Sequence, residues 1–145
     1  MKINLRSGID KVLFGMKEKD VIALYGEPDR KYKDEEKNSI FLYNDKKLRL
    51  TFYADEDFRL GYLIASHPKL ELFTTTLLGK KWDDAATALQ NNHLKDFEEE
   101  TFDSVVNYFN EPNWIILQVE FNEIIRIELG AVINNKDEFD WKFMG

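Results

Sequence analysis

The sequence has no cysteine and only two histidines among its 145 residues. The missing cysteine removes disulfides, zinc–thiolate centres and thiol nucleophiles together, and it favours a reducing compartment. No apolar run approaches the roughly 20 residues of a membrane-spanning helix. The opening stretch, Met-Lys-Ile-Asn-Leu-Arg-Ser-Gly, lacks the apolar segment of a secretory leader. The glycines stand singly, so no phosphate-cradling loop exists. These absences lead us to expect a soluble cytoplasmic protein with no membrane partner.

The histidines offer little chemistry. His67 stands in Ser66-His67-Pro68, where adjacency cannot set a base across a nucleophile and no glycine elbow exposes the serine. His93, near Asp96 and Glu98, reads as a solvated helix end rather than a metal ligand. Asp55-Glu56-Asp57 resembles part of a calcium loop but lacks its glycine and distal glutamate, so it reads as a hairpin turn. We expect no catalytic residue, no metal and no cofactor.

Charge is uneven. Residues 1–68 carry 13 Lys and Arg against 12 Asp and Glu, whereas residues 69–145 carry 7 against 15. An acidic second half argues against nucleic acid, which needs clustered cations, and suits a basic protein partner. Apolar residues make up 43% and aromatics 14%, enough for a sizeable core.

What is present is a repeat. Leu13-Phe14-Gly15-Met16-Lys17-Glu18-Lys19-Asp20-Val21 reads as a glycine turn entering a short helix. Val21, Leu24 and Tyr25 form its buried stripe, and Gly26 and Pro28 stop it. Leu77-Leu78-Gly79-Lys80-Lys81-Trp82-Asp83-Asp84-Ala85 restarts the pattern 64 residues on. Trp82, Ala85, Ala86 and Leu89 give the second helix face, with Asn91-Asn92 as its stop. Lead-in strands precede each helix, at 3–5 and 70–72. Charged connectors follow, at 29–37 and around Glu98-Glu99-Glu100. Three strands then follow in each half, at 39–43, 48–53 and 59–65, and again at 104–108, 114–121 and 123–129. Residues 134–145 alternate Phe139, Trp141 and Phe143, as either an edge strand or a clamp over the core.

The expected fold is therefore α+β in a single domain, 1–145. It is a tandem duplication of a helix plus three-stranded antiparallel unit, with the helices on one face of a shared sheet. The first repeat spans about 1–67, the second about 68–133, and 134–145 is a tail. αβββ units are common, but the co-occurring Gly, Asp, Ser and Tyr matches favour duplication.

This layout resembles the β-lactamase inhibitory protein-like fold, whose tandem repeats pack helices on one side of a sheet and bind proteins with the other. The segment from Phe14 to Val21, with Tyr25-Gly26-Glu27-Pro28-Asp29, is also similar to small outer-membrane-assembly lipoproteins of that superfamily and to bacterial immunity proteins. The inhibitors' disulfides and the lipoproteins' lipidated cysteine are absent here. The resemblance thus implies a cytoplasmic immunity-type inhibitor that neutralises a toxin or enzyme by steric occlusion.

Alternation sets the second face of the sheet. Leu48, Leu50, Phe52, Ile115, Leu117, Val119, Phe121, Ile125, Ile127 and Leu129 are expected inward. That leaves Arg49, Tyr53, Trp114, Gln118, Glu120, Arg126 and Glu128 outward, with Tyr43 and Tyr108 nearby. Trp, Tyr and Arg among carboxylates are what interface centres enrich. We expect these nine residues to bind a basic protein, a toxin or enzyme, with Tyr53, Trp114 and Arg126 as anchors. A small-ligand or catalytic module on the same face, and a scaffold protein, are the alternatives.

Overall fold

The computed structural model describes residues 1–145. A three-stranded meander comes first: β1 (Ile3–Asn4), β2 (Gly8–Ile9) and β3 (Val12–Leu13). Helix α1 (Glu18–Tyr25) leads into β4 (Arg30–Lys33), β5 (Ser39–Tyr43), β6 (Leu48–Tyr53) and β7 (Arg59–Ala65). A small hairpin, β8 (Glu71–Leu72) and β9 (Thr75–Thr76), precedes α2 (Trp82–Gln90). Then come β10 (Glu98–Phe102), β11 (Val105–Asn110), β12 (Ile115–Glu120) and β13 (Glu123–Gly130).

Eight of these strands form one antiparallel sheet in the order β10-β11-β12-β13-β7-β6-β5-β4. The fold is α+β, with two helices and this one large sheet. Each half of the sheet is four consecutive strands following a helix, and β7 meets β13 at the seam, with Leu63 opposite Leu129 and Ala65 opposite Ile127.

The core lies on one side of the sheet. Leu48, Leu50 and Phe52 of β6 alternate into it, as do Ile115, Leu117 and Val119 of β12. Val21 of α1 and Ala85 and Leu89 of α2 close it from above. Two helices this short cannot roof eight strands. The small hairpins complete the roof with Ile9, Val12, Phe14, Leu70, Leu72 and Leu77, all at most 1% exposed.

Several expectations need correction. The charged connectors at 30–33 and 98–100 are strands, at the two free edges of the sheet. Both faces of an edge strand can be wet, and charges there block pairing with other chains, so the alternation that marks an inner strand is missing. Leu24 is 42% exposed and leaves the helix stripe to Val21. The second helix ends with Asn91 in right-handed conformation (φ −61°, ψ −19°), and His93 takes the left-handed position (φ 67°). Phe121 is 85% exposed in the β12–β13 turn. Ile125 is not inward, because Gln118 faces Arg126 while Val119 faces Ile124, and the bulge between them leaves Ile125 over. The same bulge in β7 leaves Gly61 over, with Thr51 facing Tyr62 and Phe52 facing Leu60.

Residues 131–145 are a clamp rather than an edge strand. Asp140 N donates to Val132 O at 2.9 Å, and Phe143 N donates to Phe14 O at 3.0 Å. The chain thus doubles back and ties itself beside Gly15.

Candidate functional site

The face of the sheet opposite the helices carries most of the residues singled out above. In register across five strands, β6 to β11, run Arg49, Ile64, Glu128, Ile116 and Phe109. Below them, Gln118 lies between Asn107 and Arg126. Arg126 Nε donates to Gln118 Oε1, and Tyr62 OH donates to Glu128 Oε1. Ser104 Oγ donates to Glu120 Oε2 at 2.6 Å. These bonds engage four of the expected polar residues, Gln118, Glu120, Arg126 and Glu128. Arg49 is the exception: its Nε is buried without an acceptor.

Two expected residues lie on the other face. Tyr43 is 5% exposed, donates from its hydroxyl to Gly26 O at 2.8 Å and packs edge-on against Tyr25. Tyr108 stacks on Trp82 of α2 at 3.8 Å between ring centroids. In register, Tyr108 faces Leu117, an inward residue. Both tyrosines belong to the roof and core, so the site loses them.

Tyr53 lies on the outer face as alternation expects, whereas Trp114 reaches it from a turn. Trp114 sits in the β11–β12 turn at φ 45° and lays its indole over Gly130. Tyr53 lays its ring over Gly61, and Phe139 of the tail meets it at 5.8 Å. Glycine in a strand interior costs stability, and here it admits a ring close to the backbone. Burial pushes the Tyr53 phenol up to about 12, with Glu36 adding to it. Burial and then the Glu128 carboxylate raise Tyr62 further above the usual phenol range.

Between these rings and the tail lies a groove of about 760 Å³, lined by Tyr53, Tyr62, Trp114, Val132, Ile133 and Phe139. A second hollow of about 410 Å³ shares Tyr62 and Trp114 and runs on over Phe109, Ile116 and Asn107 to Glu98 and Glu100. Sequence reading missed Tyr62, Asn107 and Phe109. For Tyr62 the signal was hidden by the Gly61 bulge, which shifts the in–out parity within β7.

No group of three or more His, Asp or Glu is placed to hold a metal. His67 Nδ1 accepts from Lys69 N at 3.0 Å in the connection after β7, and His93 is exposed beyond α2. Neither reaches the outer face.

No family model matches the chain, and no curated protein matches it. Among solved structures, an extracellular protein containing a SCP domain from Bacillus anthracis is similar at a TM-score of 0.53 and 12% identity, over 81% of this chain and 43% of that one. The chain shares its fold with part of that protein. A cysteine-rich secretory protein from Staphylococcus aureus is similar at a TM-score of 0.47 and 15% identity, over 81% of this chain and 44% of that one. The chain spans less than half the length of either structure.

These findings correct three expectations. The resemblance to β-lactamase inhibitory protein-like folds does not hold, because the fold is found in a SCP-domain protein. A helix followed by antiparallel strands is too generic a layout to separate such folds. The immunity-protein reading rested on that resemblance and falls with it. The cytoplasmic reading also falls, since the protein that shares the fold is extracellular. Absence of cysteine is compatible with either compartment when a core holding Phe14, Phe41 and Phe52 at 0% exposure stabilises the domain unaided.

Proposed function

We propose that the chain is a non-catalytic protein-binding module, built by duplication of one unit, whose outer sheet face takes a protein partner. Duplication is supported by main-chain bonds that recur 64 residues apart. Gly15 N donates to Leu60 O and Leu60 N to Met16 O; likewise Gly79 N donates to Ile124 O and Ile124 N to Lys80 O. The bulges at Gly61 and Ile125, and the left-handed pairs Asp57-Phe58 and Phe121-Asn122, keep the same offset. Left-handed positions repeated in step favour duplication over coincidence.

The observation that carries the binding reading is the one-sided roof. Both helices and both small hairpins lie on one face, and the other face presents Trp114, Tyr53, Tyr62, Arg49 and Arg126 beside Glu128 and Glu120. Seven inter-strand gaps of about 4.8 Å and strands of about 20 Å give a face of roughly 700 Å². One side of a standard protein interface is about 800 Å². The acidic second half selects a basic partner and speeds its approach. The mechanism is occlusion: the sheet covers the surface it binds.

Trp114→Ala tests this. It should weaken partner binding by at least tenfold in calorimetry, a larger effect than its cost to folding. Unchanged affinity removes Trp114 from the interface. A small ligand in the 760 Å³ groove is the second reading, favoured by a size within the range of small-molecule sites.

A further inference from the structure

After Ala131 the chain leaves the sheet and makes a hairpin of its own. Asp140 N donates to Val132 O at 2.9 Å, Asn134 N to Glu138 O at 2.8 Å and Asp137 N to Asn134 O at 3.2 Å. Asn134 Oδ1 closes the turn by accepting from Lys136 N at 2.8 Å and from Glu138 N at 3.2 Å. No hydrogen bond or ion pair joins residues 132–140 to residues 1–130. None of these hairpin residues is buried, and only Val132 and Phe139 are partly covered.

The hairpin is tied down at its two ends. At its base, Ala131 N donates to Gly61 O at 2.9 Å. Beyond it, Lys142 N and Phe143 N both donate to Phe14 O, at 3.1 and 3.0 Å. This second tie closes over Gly15, where a Cβ would stand 2.9 Å from Phe143 O and 3.1 Å from Trp141 Cβ. Between the ties the hairpin walls one side of the 760 Å³ groove and sets Phe139 5.8 Å from Tyr53.

We propose that residues 132–140 are a flap hinged at Ala131 and latched at Phe14 and Gly15, which opens to bare Tyr53 while the sheet stays folded. A segment whose bonds lie within itself keeps them when it moves as a body. Only the latch and a few half-covered side chains therefore oppose opening, and such segments open locally at a fraction of the cost of global unfolding. Closed, the flap gives the groove its outer wall and withholds Tyr53 from anything that approaches the outer face. Open, it leaves that end of the sheet flat and accessible, as gating loops do on the microsecond to millisecond scale. The inference goes beyond the protein-binding reading and does not depend on it, because it is tested without a partner.

The first measurement is amide hydrogen exchange of the ¹⁵N-labelled protein in low urea. The Lys142 and Phe143 amides should exchange at least about 100-fold faster than the slowest amides of β7 and β12, at a rate that urea does not change, as local opening requires. The second measurement breaks the latch in two ways. Gly15→Ala drives a methyl against Phe143, and deletion of residues 142–145 removes the latch without touching the body. The readout is the titration of each tyrosine by ¹³C NMR. The Tyr53 phenol, held up to about 12 by burial, should fall towards the ordinary value of about 10. The Tyr43 phenol, also at about 12 but buried beside Tyr25 on the helix side, should stay where it is. Latch amides as slow and as urea-dependent as those of the sheet would make the tail part of the cooperative core and overturn the flap. So would a Tyr53 phenol that stays near 12 after the deletion, or a deletion that unfolds the sheet. If Gly15→Ala does not fold, the deletion alone decides.

Discussion

Gly61 and Gly130 hold a position that no other residue can take. A Cβ on Gly130 would stand 2.3 Å from Trp114 Cδ1 and 2.8 Å from its Nε1, and one on Gly61 would stand 2.0 Å from Tyr53 Cε2. Gly130→Ala should displace the indole and cost about 1–3 kcal/mol by overpacking, read as a lower urea midpoint. Gly61→Ala should act on Tyr53 in the same way; wild-type stability in both would mean the rings are not seated as described. Tyrosines supply a second prediction at this scale. Burial pushes Tyr25, Tyr43, Tyr53 and Tyr108 up to about 12. An unfolded phenol titrates near 10, so between those values the native state keeps protons that the unfolded state has lost. The stability this represents is complete below about pH 10 and lost as pH rises towards 12. Tyrosinate absorbance should therefore appear late, together with loss of structure. Titration of these residues near pH 10 in the folded protein would contradict their burial. At this scale the sequence was readable where a side chain simply alternates, as at Arg49 or Glu128. It was not where a turn or bulge re-aims a ring, as at Trp114 and Tyr62.

Elements were legible in proportion to how one-sided they are. The strands at 48–53 and 59–65 have the expected bounds, since each has a drier and a wetter face, and the strand at 39–43, buried on both faces, has them too. The edge strands β4 and β10 carry no such contrast. Their Lys31, Lys33, Glu98 and Glu100 are exposed and guard free backbone groups. Lys31→Val with Lys33→Val should make the protein associate with concentration, by light scattering. A variant that stays monomeric at millimolar concentration would show that other features guard the edge. In the helices, period alone could not say which apolar residue the sheet covers. Leu89→Ala in α2 should cost about 2–5 kcal/mol, as for a fully buried leucine. Leu24→Ala in α1, at 42% exposure, should stay within about 0.5 kcal/mol. Equal costs would mean that α1 packs with a different face.

At the scale of the whole molecule, two helices and the small hairpins lie on one side of a single eight-stranded antiparallel sheet. The 64-residue recurrence could be read from the sequence because turns and helix starts carry glycine and aspartate in step. The fold's relatives could not, because at 12% identity to the B. anthracis structure no short motif separates one helix-and-strand layout from another. The compartment was misread for a similar reason: a chain whose core suffices without disulfides leaves no mark of where it works. The claim that joins these scales is that another protein covers the bare face. The most direct measurement is photo-crosslinking in the native cell, with benzoylphenylalanine placed at Ile116 on the outer face or at Thr87 on exposed α2. Adducts of one discrete mass from Ile116 and none from Thr87 are the predicted result. Adducts from Thr87 alone, or none from either position, would contradict it.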